Sequence, residues 1–551
     1  MISAVRRAPA GPRIAAFFDY DGTIIDGFSA GSFYRHRLVS RDLGPRELAR
    51  TLWAAARGIS TEEEFTAFLD MSLHAWTDRS EDDIRELAER LFKHEIAGRL
   101  HHETWRLAQT HKAMGHTLVL ASSATRFQVE PMAREIGAQH ALFTAVEAHD
   151  GILTGRRDGR PVWGEAKADA VRALAAEHRL DLEASYAYSN GNEDIPFLNA
   201  AGNSVAVDPE SKLREHARAR GWPILRCASR PATPDATALA RTAAFYGGMG
   251  AGMWAGVGIG LLRRSRQTVV DLGGDVGSEL GLALAGIDVR VLSGAEHLWS
   301  ARPCVFFFNH QSKLDPIIVT RLLRGGFTGV AKKETANVPV FGQFFRLAGV
   351  AFIDRGDTRQ AKSALAPAVA KLRDEAISLV IAPEGTRSAT PRLGGFKKGA
   401  FHIAMQAEVP VVPIVIHNAG EVMWRGSQTL HGGTVNVTVL PPIDTSRWSP
   451  ATIGEHVGEV REMYLDALAE PGPDDARAPA RERRPATPDR ERRPATPDRE
   501  QGPGTTAART PRAPTAADAR AGDAHAGDGA IGARAASLAD EETAAADGVG
   551  T

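Results

Sequence analysis

The chain has 551 residues, and its 66 lysines and arginines nearly balance its 67 aspartates and glutamates. This balance excludes a strong electrostatic signal for nucleic acid or for an acidic partner. The length is typical of three or four domains, and two cysteines, Cys227 and Cys304, are too few for a disulfide framework and fit a reducing compartment. Only five apolar residues separate Arg13 from Asp19, too few for a signal peptide, so we expect a flexible N-terminus at 1–12 and a cytoplasmic start.

The first motif follows an apolar run, Ile14–Phe18, which predicts a buried strand. Asp19 and Asp21 come directly after it, and two carboxylates at the carboxyl end of a strand suit phosphoryl transfer with a divalent cation. More polar residues follow later strand-like runs or begin a predicted helix. These are Ser122, Lys167 and the stretch Asn190–Asp194.

With these motifs, residues 13–228 resemble the haloacid dehalogenase superfamily of phosphatases, and in particular the branch that includes phosphoserine phosphatase. The resemblance implies a Rossmann-like α/β domain with an inserted helical cap at about residues 25–110. The helical periodicity of that insertion indicates packed helices and carries no information about the substrate.

The resemblance also implies a role for each motif residue. Asp19 is expected to be the nucleophile that forms an aspartyl-phosphate, and Asp21 the general acid and base. Ser122 and Lys167 would bind the phosphoryl group. Mg²⁺ is the implied cofactor, with Asp19, Asp21 (through its carbonyl) and Asp194 as its expected ligands.

One residue departs from the superfamily pattern. Asn190 stands where most members have an aspartate, which removes a negative charge from the metal environment and predicts weaker Mg²⁺ binding. Glu193 is a candidate to compensate. Two interpretations therefore stay open: a working phosphatase, or a catalytically weak domain that serves binding or regulation.

The join between the two halves changes in composition. Residues 229–242, rich in Pro, Thr and Asp, predict a linker, and Ala243–Leu262 has twenty residues without a charge, seven of them glycine. Each glycine costs a helix in water about 1 kcal/mol relative to alanine, so an exposed soluble helix is disfavoured. Four of these glycines share one helical face, which suits close helix packing. They are Gly248, Gly252, Gly256 and Gly260.

Residues 243–266 are accordingly predicted as a membrane-associated segment, ending in arginines that suit anionic headgroups. Arginines flank it on both sides and do not orient a span, which would also place the two halves on opposite sides of the membrane. We favour a re-entrant or interfacial element, or a glycine-packed helix pair with Val276–Leu292. A glycine-rich helix packed inside the C-terminal domain stays an alternative.

A second motif follows the strand-like run Pro303–Phe308. His310 and Asp315 are spaced so that a local turn lets the carboxylate hold one imidazole nitrogen and leave the other as a general base. A second polar segment, Glu384–Ser388, follows the apolar run Ile377–Ala382. Two further blocks lie between and beyond these segments. They are Lys332–Arg355 and Val409–Ile416.

In this order, the four blocks in residues 267–470 resemble the glycerolipid acyltransferase family, whose best-known members acylate 1-acyl-glycerol-3-phosphate. The resemblance implies an α/β domain that transfers a fatty acyl group from acyl-CoA, or from acyl carrier protein, to this lysophospholipid and yields phosphatidic acid. His310 would be the catalytic base and Asp315 its orienting partner. An alternative is another lysophospholipid acceptor beside a catalytically weak N-terminal domain.

A phosphate-bearing acceptor needs cations and close backbone N–H groups. Arginine forks and a lysine point charge supply the first, and a Gly–Thr turn supplies the second. A carboxylate beside a phosphate is less easily assigned. The predicted substrate-binding residues are Glu384, Gly385, Thr386, Arg387, Lys332 and Arg355.

The remaining predictions concern location and the tail. Reaching a lipid acceptor implies contact with a membrane surface, so we expect the cytoplasmic face of the cell membrane; the oligomeric state is not indicated. Residues 471–551 lack large apolar side chains and predict a disordered tail. The tail repeats a nonapeptide at Glu482–Arg490 and Glu491–Arg499, which we interpret as compositional drift in preference to Thr-Pro modification sites. The expected fold class is α/β throughout both domains.

Overall fold

The computed structural model describes most of the chain up to residue 469. The described residues are 1–44, 49, 51, 58–59, 61–228, 235–337, 341–353, 367, 369–469 and 536–537. The predicted substrate-binding residue Arg355 lies outside them, as do residues 229–234 of the linker and, apart from Ala536–Ser537, the predicted tail 471–551.

The N-terminal domain is built on a seven-stranded sheet whose central strands are all parallel. The central strand is apolar and fully buried, as expected for a strand covered on both faces. The strands are β1 (Ala15–Phe18), β2 (Thr117–Thr125), β3 (His140–Thr144), a separate hairpin of β4 (Val146–His149) and β5 (Ile152–Arg157), β6 (Tyr186–Ser189), β7 (Asn203–Val207) and β8 (Ile224–Leu225). The order is β3-β2-β1-β6-β7-β8, and Ala536–Ser537 pairs antiparallel with β3 at the edge.

Helices surround this sheet and form the insertion after β1. Two insertion helices begin at hydroxyl caps, where Thr61 accepts from the N–H of Glu64 and Ser80 from that of Asp83. The helices of this domain are Ile2–Val5, Ala30–Val39, Glu62–Leu73, Glu81–Leu91, His102–Ala113, Arg126–Ile136, Glu165–His178, Ile195–Asn199 and Ser211–Arg220.

The predicted cap of about residues 25–110 includes the first part of helix His102–Ala113. This helix buries Leu107 and Ala108 in the same core as Leu118 of β2, and that core also contains Ile84 and Leu91 of the insertion. The short helical turns Phe92–Ile96 and Ala97–Arg99 come before it in the chain.

The C-terminal domain has a second seven-stranded sheet in the order β12-β11-β13-β10-β14-β15-β9. Strands β10, β11, β12 and β13 run parallel to their neighbours, so their carboxyl ends share one edge of the sheet. Strand β14 is parallel to β10 and antiparallel to β15. The strands are β9 (Ile287–Ser293), β10 (Val305–Phe308), β11 (Phe327–Lys332), β12 (Ala351–Ile353), β13 (Ser378–Ile381), β14 (Val411–Ile416) and β15 (Gly433–Val439).

Its helices cover this sheet and bury an apolar core on each face. Those after the strands are His297–Ser300, Asp315–Leu323, Phe341–Leu347, Lys398–Ala407, Ala419–Val422 and Ile453–Ala469.

The glycine-rich segment is a long helix, Ala236–Leu262, packed against a second helix, Arg266–Leu284. Glycines let the two backbones meet: a Cβ on Gly252 would lie 2.2 Å from the nitrogen of Gly277, and one on Gly256 2.5 Å from that of Gly273. This matches the glycine-packed helix pair among our alternatives. No helix in the described part of the chain has both the length and the apolarity needed to cross a membrane.

Two boundaries differ from the sequence expectation. The first helix begins at Ala236, inside the predicted linker 229–242, because the side chain of Asp235 caps it by accepting from the N–H of Ala238 at 2.6 Å. The partner helix was expected at Val276–Leu292, but it ends at Leu284 and the chain turns into β9.

Candidate active sites

The N-terminal site lies where the parallel strands β1 and β6 end. Asp19 and Asp21 follow β1, and Asp194 follows β6 in a short helical turn. Ser122, near the end of β2, is buried and accepts from the N–H of Ala124 at 3.1 Å. The sheet thus carries all four predicted side chains toward one edge, as an open α/β sheet does with its binding residues.

Lys167 joins the two acidic motifs. It lies in the first turn of helix Glu165–His178, and its Nζ donates to Asp19 Oδ1 at 2.6 Å and to Asp194 Oδ2 at 2.7 Å. Burial would lower the pKa of Lys167, but Asp19 and Asp194 outweigh it and raise that pKa above its ordinary value. The lysine is therefore a fixed buried cation beside the expected nucleophile.

Asp19 is a buried carboxyl whose pKa is raised to about 7. Burial is the largest cause; Lys167 opposes it, and Asp194 adds to it. The other oxygen of Asp19, Oδ2, accepts from Thr23 Oγ1 at 3.1 Å. Both oxygens thus have partners within the protein, which fixes the direction of the carboxylate.

Asp21 points to a different partner. Its Oδ1 accepts from the N–H of Ser29 at 2.6 Å, and its Oδ2 accepts from the hydroxyl of Ser29 at 3.1 Å. Burial raises the pKa of Asp21 to about 6, although the two bonds from Ser29 lower it. A carboxyl that titrates near neutral pH suits proton donation and removal.

The departure at Asn190 also has defined contacts. Its Oδ1 accepts from Thr23 Oγ1 at 3.1 Å, so Thr23 bridges Asn190 and Asp19. Nearby, burial and the charge of Asp194 raise the pKa of Glu193 to about 7. Glu193 is thus close to the acidic cluster, where it was expected as a compensating carboxylate.

The residues present fit a divalent cation such as Mg²⁺. Four carboxyls act on one another electrostatically at this edge, and within the described residues two cations, Lys167 and Arg99, act on them. The carboxyls are Asp19, Asp21, Asp194 and Glu193. An excess of buried carboxylate is costly without a compensating positive charge, and hard oxygen donors are those that Mg²⁺ prefers.

The C-terminal site lies after β10. His310 Nδ1 bonds Asp315 Oδ2 at 2.8 Å, and the same oxygen accepts from the N–H groups of Gln311 at 2.6 Å and Ser312 at 2.7 Å. Because a carboxylate only accepts, we place the proton of the first bond on Nδ1, which leaves Nε2 free to take a proton. Asp315 is fully buried, whereas the side chain of His310 is 17% exposed.

Glu384 connects this dyad to the neighbouring strand β13. Its Oε1 accepts from the backbone N–H of His310 at 2.7 Å, and its Oε2 accepts from Ser388 Oγ at 2.6 Å and from the N–H of Gly394 at 2.9 Å. Burial raises the pKa of Glu384, and these bonds lower it. Substrate binding stays a prediction for Glu384; in the structure its carboxylate braces the backbone of His310 and Gly394 and the hydroxyl of Ser388.

The other predicted substrate residues lie on the same edge. Gly385 has φ +69°, a left-handed conformation that favours glycine, Thr386 is exposed, and Arg387 is half-buried. Within the described residues, the Arg387 guanidinium forms no ion pair. Lys332 ends β11 and is paired with Glu334 at 3.2 Å, with more than half of its side chain exposed.

Sequence reasoning missed the residues that hold the predicted catalytic groups. Ser29, which fixes Asp21, lies in no recognisable pattern, and Ser189, whose hydroxyl donates to Asp194 Oδ2 at 2.6 Å, was not among the predicted site residues. Thr23, which donates to Asp19 Oδ2, was not among the predicted site residues either. The contact is made within the loop after β1, whose path the residue order alone does not indicate.

Two family models match the chain: haloacid dehalogenase-like hydrolase over residues 16–199 and acyltransferase over residues 289–417. Phosphoserine phosphatase SerB1 of Mycobacterium tuberculosis is 34% identical over 243 residues, which cover 42% of this chain and 79% of that protein.

Two further relatives match the C-terminal half. The 1-acyl-sn-glycerol-3-phosphate acyltransferase of Limnanthes alba is 33% identical over 198 residues, covering 36% of this chain and 69% of that protein. The protein of the same name from Saccharomyces cerevisiae is 36% identical over 191 residues, or 34% of this chain, and the chain spans 62% of its length.

Proposed function

The chain belongs to two families, the haloacid dehalogenase-like hydrolases and the glycerolipid acyltransferases, and we propose that its main reaction is acyl transfer to a phosphate-bearing lysophospholipid. The proposed acceptor is 1-acyl-glycerol-3-phosphate, the proposed donor is acyl-CoA or acyl carrier protein, and the product is phosphatidic acid. The observation that carries the proposal is the His310–Asp315 pair at 2.8 Å, with Nε2 left free.

The dyad supplies the proton transfers of this reaction. His310 Nε2 takes the proton of the acceptor hydroxyl as the hydroxyl oxygen forms a bond to the thioester carbonyl carbon. Asp315 holds the ring and stabilises the imidazolium, as the two backbone N–H groups on its Oδ2 keep it in place. The carbon–sulfur bond then breaks, and the proton passes from His310 to the departing thiolate.

The acceptor phosphate is proposed to bind beside the dyad at Arg387. This side chain follows β13, the neighbour of β10 in the sheet, and parallel neighbours are about 4.8 Å apart. A guanidinium fork can bind two phosphate oxygens. Lys332 adds charge from the next strand, and Arg355 stays a proposed ligand on the sequence alone.

A membrane surface is the proposed source of the acceptor. The helix pair Ala236–Leu262 and Arg266–Leu284 exposes large apolar side chains, which monomeric soluble proteins seldom cluster. The most exposed are Trp254 at 76%, Leu261 at 70% and Leu262 at 86%. We propose that this pair lies in the membrane interface, on the cytoplasmic face.

The test compares wild type and His310→Ala in detergent, with a long-chain acyl-CoA and lysophosphatidate. We expect phosphatidate from wild type and a loss of at least roughly 100-fold in the variant, the contribution typical of a general base. Equal turnover by both proteins would overturn the assignment. Circular dichroism of the variant checks that the fold is retained.

A second proposed activity belongs to the N-terminal domain: Mg²⁺-dependent hydrolysis of a phosphomonoester. The ion pair of Lys167 with Asp19 at 2.6 Å favours it, because a retained nucleophile beside a buried cation suits phosphoryl transfer more than simple binding. Asp19 and Asp194, with the carbonyl of Asp21, would hold Mg²⁺, which when bound neutralises phosphate charge.

The residues of the chain then carry the proton and the phosphoryl group. Asp19 Oδ attacks phosphorus while Asp21 protonates the departing oxygen, and Lys167 and Ser122 hold the phosphoryl oxygens. Asp21 next removes a proton from water, which attacks phosphorus and releases phosphate from Asp19. Asp19→Asn should abolish Mg²⁺-dependent hydrolysis of p-nitrophenyl phosphate. If wild type shows none either, the domain serves binding or regulation.

A further inference from the structure

The two domains of residues 1–469 contact each other beside the acyl-transfer dyad. A cavity there is lined by residues of both: Leu100 and His102 come from the N-terminal domain, and Gln311 and Ser388 come from the C-terminal domain. Gln311 directly follows His310 and donates its N–H to Asp315. His310 and Arg387 do not line the cavity themselves, but Gln311 and Ser388, which directly follow them in the chain, do.

Arg425 links the cavity wall to the loop that carries Arg387. Its Nε donates to the carbonyl oxygen of Lys93 at 2.8 Å, in the N-terminal domain. Its Nη1 donates to the carbonyl oxygens of Arg387 and of Ser388, the latter at 3.0 Å. One guanidinium thus binds backbone carbonyls of both domains. A change in the contact between the domains would therefore shift the backbone at Arg387.

The same loop has two more contacts with the N-terminal domain. Thr390 Oγ1 donates to Glu135 Oε2 at 2.5 Å, and Arg392 Nη1 donates to the carbonyl oxygen of Arg134 at 2.9 Å. The loop from β13 is therefore held by Glu384 on the catalytic side and by the N-terminal domain on the other side.

The backbones also approach closely at one point. A Cβ on Gly98 would lie 2.2 Å from the carbonyl oxygen of Arg425, a distance that real side chains do not adopt. Close by, Glu421 accepts from Arg106 Nη2 at 2.5 Å, and its carboxylate lies 3.9 Å from His102 Nδ1. A glycine at position 98 lets the two surfaces meet.

We propose that the N-terminal domain forms one wall of the site for the lysophospholipid headgroup, and that Arg425 is a positioning residue that holds the Arg387 loop in place. This inference rests on the proposed acyl transfer, and it gives the hydrolase domain a role in that reaction that does not depend on its own turnover. The ligand class is a phosphate-bearing glycerolipid headgroup, which Arg387 recognises.

The test uses the full chain and separates binding from turnover. Lysophosphatidate binding without a donor is measured by calorimetry in detergent for wild type, Gly98→Ala, Arg425→Ala and Gly31→Ala. Gly31 is the control, because a Cβ there meets nothing within 4 Å and it lies in the same domain. Hydrogen exchange of the segment Glu384–Arg392 is followed in the same four proteins.

We expect about tenfold weaker binding for Gly98→Ala and Arg425→Ala, faster exchange of that segment, and no change for Gly31→Ala. Hydrolysis of p-nitrophenyl phosphate by Gly98→Ala should stay at the wild-type level. Equal binding by all four proteins, or no binding by wild type, would overturn the inference. If the two variants bind lysophosphatidate more weakly but wild type shows no acyl transfer, the proposed reaction is overturned. The N-terminal domain would then still form part of the headgroup site.

Discussion

Glu384 accepts a hydrogen bond at 2.7 Å from the backbone N–H of His310, a residue 74 positions earlier in the chain. The carbonyl of His310 in turn accepts from the N–H of Ser388 at 2.9 Å. Both backbone groups of the proposed base are thus bound to the segment that follows β13. The position of the proposed base therefore depends on a carboxylate that is itself buried and accepts two further hydrogen bonds from the protein.

Glu384→Ala should lower kcat for acyl transfer by roughly 10- to 100-fold, with little change in the KM of either substrate. Removing the carboxylate leaves the N–H groups of His310 and Gly394 without their acceptor, which costs about 1–3 kcal/mol for each buried group. Glu384→Gln keeps one acceptor oxygen and should lose less. Steady-state kinetics with both substrates varied give the answer, and a rise in acceptor KM at constant kcat would contradict the bracing role.

The sequence was sufficient to identify the strands that end in polar residues, because an apolar run followed by Asp or His shows up in the residue order. It could not show that the Glu384 carboxylate accepts hydrogen bonds from His310 and Ser388, because these bonds require β10 and β13 to be neighbours in the sheet. Nor could it show that Asp21 turns toward Ser29, a contact fixed by the path of the loop after β1.

Arg387→Ala should raise the KM for lysophosphatidate by roughly 10- to 100-fold while the KM for acyl-CoA stays unchanged. The lost contact is a charge-assisted bond to phosphate, worth about 1.5–3 kcal/mol. Lys332→Ala is the matched comparison: its exposed ammonium is already paired with Glu334 and should contribute less than about threefold. Equal shifts in both KM values for Arg387→Ala would remove it as the phosphate ligand.

The helix pair gives a third prediction. Replacing both Trp254 and Leu262 with glutamate should lower the affinity for anionic vesicles, measured by flotation, by about 100-fold. Burying each apolar side chain contributes about 1.5–3 kcal/mol to that affinity. Val39→Glu is the control, because Val39 is also 76% exposed but lies in the N-terminal domain. Flotation that survives the double substitution would mean that another surface binds lipid.

The sequence left open whether the glycine-rich helix Ala236–Leu262 packs in lipid or against another part of the protein. Glycines at four-residue spacing predict a close helix contact, and this contact can form in lipid or in a folded protein. The position of the second helix shows which contact these glycines make. That helix begins at Arg266, right after the turn, so Gly248, Gly252 and Gly256 lie against Gly281, Gly277 and Gly273, respectively. Phe245, Met249 and Met253 of the first helix are buried with these glycines, whereas Trp254, Leu261 and Leu262 remain exposed.

Asn190→Asp tests whether this departure weakens the proposed metal site. The Oδ1 of Asn190 shares Thr23 Oγ1 with Asp19, at 3.1 Å on each side, so an isosteric aspartate would add a negative charge beside the nucleophile. We expect the Mg²⁺ concentration for half-maximal hydrolysis of p-nitrophenyl phosphate to fall about tenfold, which corresponds to roughly 1.4 kcal/mol. The metal-free variant should be less stable than wild type, because another carboxylate joins a buried cluster that already has excess negative charge.

Glu193→Gln serves as the counterpart in the same titration. If Glu193 compensates for Asn190, removing its charge should raise the Mg²⁺ requirement, and the double variant with Asn190→Asp should return it toward the wild-type value. Calorimetry measures the Mg²⁺ affinity of wild type, the two single variants and the double variant, even where hydrolysis is too slow to follow. An unchanged Mg²⁺ affinity in Asn190→Asp would show that the asparagine does not weaken cation binding.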